Sequence, residues 1–274
     1  MTINLTKNKY FNDKWQAIAS KDKKRDEDSI FVDLGKEPVT FRQFNLYNYF
    51  HFINEIIKDR GYENSLEVGC GRGTMSLYLA KYLGLRVTLA DISEEAVKVA
   101  KELFEQYGQS AKFSVEDSEN LFFADNSFDV IVSIGLAEHF EDCTKLFSEQ
   151  YRVLKPGGMM ISLNIPKKIS MQSVNDVYKF IRKQILRDKQ VRKDYYRNED
   201  GPEEYLAAAN KCGFKNSYTI DINPFPIITP CSRSLDINLT RFYKRILNFR
   251  KMFMKNAFQT NRLMSLAHFL IAEK

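Results

Sequence analysis

The chain has few of the residues that cross-link, ligate or span. Its four cysteines, Cys70, Cys143, Cys212 and Cys231, lie far apart and lack the close paired spacing of structural zinc sites and redox motifs. They read as structural thiols, and only Cys70 draws interest, because it sits in a glycine-rich stretch. No segment reaches the roughly 18 consecutive apolar residues of a membrane-spanning helix. The opening stretch MTINLTKNKYFNDKW has no apolar run behind a basic start. The expectation is a soluble, cytoplasmic protein without a metal. Internal repeats and low-complexity linkers are absent as well. Histidine is scarce: His51, His139 and His268 are the only three, which narrows the choice of a side chain that titrates near neutrality.

What is present is a chain of 274 residues, 44% hydrophobic, long enough for one large domain or a domain with insertions. Apolar runs rich in β-branched residues occur at SLEVG, LRVTLAD, AKFSV, FDVIVSIG and GMMISLNI, each reading as a buried strand of a largely parallel sheet. Helical patterns fill the gaps, with Ser93 and Asp142 as caps and Gly84 and Gly108 as stops. This alternation predicts a doubly wound α/β fold. Its core unit runs from about residue 61 to 166, after a helical extension over 1–60. The domain continues to 274, with basic inserts at 167–200 and 226–262.

In such a sheet a ligand binds at the carboxyl ends of the strands, near the point where the strand order reverses. The first strand therefore delivers Gly69, Gly71 and Gly73 to that crevice, where glycine permits positive φ and close backbone approach. A dinucleotide fingerprint would place a small residue after Gly73, whereas the chain has Thr74.

The surroundings carry more. The E-x-G-x-G-x-G of Glu67 to Gly73, the strand RVTLADIS ending in Asp91, the stretch FSVEDSENLFFADNSFDVIVS with Asp117, and the turn RVLKPGGMMIS follow one another in order. Together they resemble class I S-adenosylmethionine-dependent methyltransferases, most closely the small-molecule branch called methyltransferase type 11, over about residues 61–166. The resemblance implies a Rossmann-like sheet of seven mostly parallel strands with an antiparallel last strand, joined by a helical amino-terminal extension and helical cap inserts. It implies S-adenosylmethionine as cofactor and S-adenosylhomocysteine as product. Its cofactor contacts map onto Glu67, Gly69, Cys70, Gly71, Gly73, Asp91, Ile92, Asp117, Ser118 and Ile134. Asp91 would accept from the ribose hydroxyls and Asp117 from the adenine amino group, with a backbone contact from Ser118. Glu67 would orient the loop and the methionine ammonium. The chain departs from the family in SENLFFAD, where a proline is usual and Phe122 and Phe123 stand instead. Two residues have structural alternatives: Asp91 could cap the next helix, and Asp117 could be a solvated loop acid.

His139, in SIGLAEHFED, comes after the fourth strand and opens on the same crevice, which makes it the candidate acid-base residue; its alternative is to pack the next helix. His51 lies in an aromatic helix, where it packs or faces solvent, and His268 lies in the last strand as a structural residue. Tyr10 and Trp15, with Phe11 at helical spacing, are candidates to cover the cofactor and the acceptor.

The inserts are basic. From Lys167 to Asp200 there are ten Lys or Arg against five acids, and from Cys231 to Arg262 eight against one, in a chain of net charge +6. Such segregation suits an anionic acceptor, with Arg182 and Arg245 as candidate contacts. The second insert interleaves Phe242, Tyr243, Leu247, Phe249, Met252 and Phe253 with its cations, as contact with a membrane surface, a lipid-like acceptor or an acidic carrier would require. The alternative is a solvated helix whose apolar side packs on the sheet.

The expected activity is methyl transfer to oxygen or nitrogen of a small or carrier-bound acceptor, anionic or lipid-like. An RNA or protein methyltransferase is the alternative; nucleic acid is disfavoured because the place of the Asn/Asp-Pro-Pro-aromatic motif reads SIGLAEHF. A non-catalytic cofactor-binding protein ranks last.

Overall fold

A computed structural model of the chain describes residues 11–13, 15–16, 30–165, 177, 180–181, 184, 197–225 and 232–274. Seven strands form one sheet: β1 Asn64–Val68, β2 Arg86–Asp91, β3 Lys112–Val115, β4 Phe128–Ile134, β5 Leu154–Asn164, β6 Lys215–Ile222 and β7 Ala267–Glu273. Their order is β3-β2-β1-β4-β5-β7-β6, and only the pairings of β7 are antiparallel. The order reverses between β1 and β4, which opens a crevice above their carboxyl ends.

The helices are α1 Phe41–Ile57, α2 Thr74–Leu83, α3 Glu94–Gln106, α4 Thr144–Val153, α5 Pro202–Lys211 and α6 Arg233–Lys251. One face of the sheet buries Val130, Val132, Ile161, Phe269 and Ile271 with side chains of α1, α2, α3 and α6, such as Phe50, Tyr78, Phe104 and Tyr243. The other buries Ile131, Met160 and Leu270 against Leu146 and Phe147 of α4 and Tyr205 of α5. Neighbouring strand residues thus take opposite faces, the period-2 alternation of strands covered on both sides. Helix α1, from the extension over 1–60, shares the core of the sheet, since its Phe41, Phe44, Phe50 and Ile53 are buried in the first cluster.

Local signals hold with two adjustments. Ser93 caps α3 by accepting from the Ala96 amide, and Gly84 ends α2 at φ 67. Asp142 acts one residue early: the cap of α4 is Cys143, and the Asp142 carboxylate accepts from the Thr144 amide at 2.8 Å. β5 also starts sooner than the apolar run indicates, because Leu154 pairs with Phe128 before a bulge carries Pro156–Gly158 and pairing resumes at Met159 with Val130.

Candidate active site

The loop from β1 into α2 forms the floor of the crevice. Gly69, Gly71 and Gly73 all have positive φ, at 68°, 53° and 69°, but their roles differ. A Cβ on Gly73 would lie 2.5 Å from Leu89 Cδ2 and 3.1 Å from Ala100 Cβ, so this glycine lets α2 start tight against β2 and α3. Cβ atoms on Gly69 and Gly71 would instead meet Leu136 Cδ1 and Trp15 Cζ2, each at 2.8 Å. Those two glycines face the crevice, and Leu136 and Trp15 stand over them.

Three carboxylates surround the floor. Asp91, buried at the end of β2, accepts from the Gly71 amide with Oδ2 and from the Ser93 amide with Oδ1, each at 2.9 Å. Of the structural alternatives, Asp91 does not cap α3, whose cap is Ser93, but it braces the turn into that helix through the Ser93 amide. Glu67 is buried beneath the loop and accepts from the Ser76 amide at 2.9 Å. Burial pushes its carboxyl up to about 7, and the Asp91 charge adds to the rise. Asp117 lies two residues beyond β3, in a turn where its Oδ1 accepts from the Glu119 amide at 3.0 Å. Ser118 and Ile92 beside these acids, and Ile134 at the end of β4, are partly buried. Cys70 is buried, and burial drives its thiol well above its usual range, helped by the Asp91 and Glu67 charges.

The amino-terminal segment closes one side. Phe11, Asn12, Asp13, Trp15 and Gln16 are helical. Asn12 Oδ1 accepts from the Ser93 hydroxyl at 2.6 Å, Trp15 lies on Gly71 with the Arg72 guanidinium 5.9 Å from its ring, and Phe11 meets His139 edge to face at 6.0 Å. Trp15 and His139, far apart in sequence, are thus brought to the same crevice. Tyr10 and Arg182 lie outside the described residues. Arg245 is exposed on α6.

The far side holds residues that sequence reasoning missed. After β4 the turn Ala137–His139 buries Glu138 and leaves His139 partly exposed. Burial raises the phenols of Tyr49 and Tyr205, and the Glu138 charge adds to both. A buried chain runs from the Ser133 hydroxyl to Ser162 at 3.0 Å, on to Asn164 Oδ1 at 2.8 Å, and then to the fully buried His268, whose ring lies 5.2 Å from that of Tyr205. Tyr205 in turn donates to Asn198 at 2.7 Å. His268 is thus fully buried and one member of a polar cluster at the crevice end of β5 and β7. The only signal that pointed there was Glu138 in AEHF. Among the described residues no group of His, Cys, Asp and Glu is placed to hold a metal ion, and no described helix is long and apolar enough to cross a membrane.

Residues 66–162 match the family model described as a methyltransferase domain. The chain is 44% identical over 96 residues to the 2-methyl-6-phytyl-1,4-hydroquinone methyltransferase of Synechocystis, covering 35% of this chain and 30% of that protein. It is 32% identical over 163 residues to phosphoethanolamine N-methyltransferase 2 of Caenorhabditis elegans, covering 59% of this chain and 35% of that one. The matched stretch thus spans about a third of each relative's length. Among solved structures, the [4+2]-cyclase SpnF superposes with a TM-score of 0.57 at 18% identity, over 89% of this chain and 85% of that one, a likeness of fold.

Proposed function

We propose that this chain, which carries a class I S-adenosylmethionine-dependent methyltransferase domain at its centre, moves the methyl group of that cofactor to a small-molecule acceptor. The observation that carries the reading is Asp91: a buried carboxylate at the end of the second strand, held by two backbone amides against a floor of positive-φ glycines. The residues present suit the cofactor. Leu136 and Trp15 lie directly on Gly69 and Gly71, so a ligand against that main chain would take the place these two side chains hold, and the amides at the start of α2 favour its carboxylate. Glu67 would hold the methionine ammonium, Asp91 the ribose, and Asp117 the adenine amino group.

When bound, the sulfonium supplies an activated methyl group, so the protein's work is proximity, orientation and exclusion of water. Trp15, Phe11 and Leu136 form an apolar roof over the glycines and His139. His139, partly exposed within that roof, is the residue to accept the acceptor's proton. The acceptor is proposed to be small and to carry an anionic or lipid-like portion, in keeping with the basic inserts and with relatives named for a phytyl hydroquinone and for phosphoethanolamine.

Titration calorimetry with S-adenosylmethionine tests the site. Asp91→Ala should weaken binding by roughly tenfold or more, since hydrogen bonds to a charged partner are worth about 1.5–3 kcal/mol each. Unchanged affinity would remove the ribose assignment. Labelled-methyl transfer, assayed with hydroquinones and with ethanolamine phosphates, then tests catalysis. Binding without transfer to any acceptor in a fractionated extract would leave a cofactor-binding protein, and label in RNA or protein would redirect the substrate class.

A further inference from the structure

We infer that the outward face of α6 and the turn after it form a docking surface for an anionic lipid bilayer. The inference does not depend on methyl transfer. It starts from the way the apolar residues of this helix divide between two faces. Tyr243 and Leu247 are buried, Tyr243 stacking on Phe225 at 4.8 Å and meeting Phe41 edge to face at 5.4 Å, while Asp236 Oδ1 accepts from the Phe41 amide at 2.9 Å. These contacts fix the helix on α1 and settle which side faces solvent.

That outer side is not polar. Phe242, Phe249, Met252 and Phe253 are between 55% and 75% exposed, and Phe249 and Phe253 lie 5.1 Å apart, ring to ring. Helical spacing of 242, 245, 249 and 252 puts Arg245 in the same stripe, with Arg241 beside it. Met254, Leu263 and Met264 extend the exposed apolar surface beyond the helix. The exposed cations Arg241, Arg245, Lys251 and Lys255 accompany it, whereas the one acid between residues 232 and 264, Asp236, is turned inward to Phe41. Not every cation belongs to the surface: Arg250 donates to the Ala257 and Gln259 carbonyls at 2.8 and 2.7 Å and holds the turn in shape, and Lys244 is paired with Glu37.

An aromatic and methionine tip ringed by Arg and Lys matches the two terms of interfacial binding, apolar insertion below the headgroups and attraction to anionic ones. A second copy of this chain would set cations against cations. An acidic protein would satisfy the cations and leave the Phe and Met tip without a hydrocarbon environment. The position also fits. β6 ends and β7 begins at the crevice end of the sheet, where Ile222 pairs with Ala267 and Asn164 with His268, so the segment bearing α6 leaves from the same end as Asp91 and the glycine loop. In the other insert, Val177, Phe180 and Ile181 are helical, exposed and spaced as one stripe.

Vesicle sedimentation tests the surface with the full chain. Binding to vesicles of mixed phosphatidylglycerol and phosphatidylcholine should exceed binding to phosphatidylcholine alone by about tenfold or more, and should fall as salt rises. Phe249→Ser with Phe253→Ser, and separately Arg241→Glu with Arg245→Glu, should each reduce the partition coefficient by about tenfold while thermal unfolding stays in place, because these side chains are exposed. Absence of binding at low salt, equal binding to both vesicle types, or binding unaffected by either pair of substitutions would overturn the proposal. So would a vesicle-free dimer that the Phe substitutions dissociate, since the face would then be a contact between copies.

Discussion

The two halves of the crevice are held together differently. On the β1–β3 side every carboxylate is fixed by a backbone amide close by in sequence: Asp91 by Gly71 and Ser93, Glu67 by Ser76, Asp117 by Glu119, at separations of 20 residues or fewer. On the β5–β7 side the bonds run between side chains, some as close as Ser162 and Asn164 or Tyr205 and Asn198, others far apart in sequence. Asn164 meets His268 across 104 positions, and Asn223 donates to Tyr49 across 174 and to Asn45 across 178. Backbone-held acids need a turn of one shape and a few residue types, so a short motif specifies them. A side-chain network needs the whole fold in place first, and its members can change together when the ligand changes.

Breaking the local half should have the largest effect. Gly73→Ala sets a Cβ 2.5 Å from Leu89 Cδ2 at a φ of 69°. Combined backbone strain and overpacking should destabilise the protein by roughly 2–4 kcal/mol, read as a lower denaturant midpoint. Gly84→Ala is the control: it shares the positive φ, at 67°, but its Cβ would meet nothing within 4 Å. Its loss should stay near about 1 kcal/mol. Equal losses at the two positions would show that φ alone, and not the packing of α2 on β2, makes Gly73 necessary.

The next effect falls where the halves meet. His139 comes after β4 on the turn that also buries Glu138, and it rests against Phe11. His139→Ala should lower kcat by roughly 10² while leaving cofactor affinity nearly intact, the pattern of a group acting on the acceptor's proton. Parent-like turnover across pH would reduce His139 to a packing partner of Phe11. An acceptor that ionises unaided would give the same result, so the comparison is made with an acceptor whose proton must be removed.

This division also explains what could be read from the sequence. The five central strands and most helix boundaries are local patterns, and Glu67 and Asp91 lie within or at the end of β1 and β2 with Asp117 in the turn after β3, where period and motif put them. The cluster of Asn164, His268, Tyr205 and Asn198 was not legible, because no short window contains it and its polar residues look like ordinary strand and loop positions. The second insert was legible as an amphipathic helix but not in its orientation. Its spacing could not tell that Tyr243 and Leu247 turn inward while Phe242 and Phe249 turn outward, since that depends on where α1 lies. Nor could it tell that Arg250, one of its cations, is tied to the turn by the Ala257 and Gln259 carbonyls.

The smallest expected effect is a pH dependence that belongs to the cofactor half alone. Burial holds the Glu67 carboxyl near 7, so the free protein is largely protonated there below neutrality. An ammonium bound beside it favours the carboxylate, and the proton must leave on binding. Cofactor affinity should therefore rise with pH as it approaches 7, by up to about tenfold per unit, and level off above. The same raised pKa has the opposite sign for folding. The folded state binds this proton more tightly than the unfolded chain does, so the contribution of Glu67 to stability falls as pH rises from the ordinary carboxylate value of 4.5 to about 7. Glu67→Gln keeps a carbonyl oxygen for the Ser76 amide and removes the titration, so both slopes should flatten while the fold persists. Calorimetry in buffers of different ionisation enthalpy reads the released proton directly. A parent that binds without releasing one, or a Gln variant with the parent's slope, would detach Glu67 from the ammonium and leave it as a buried brace for the glycine loop.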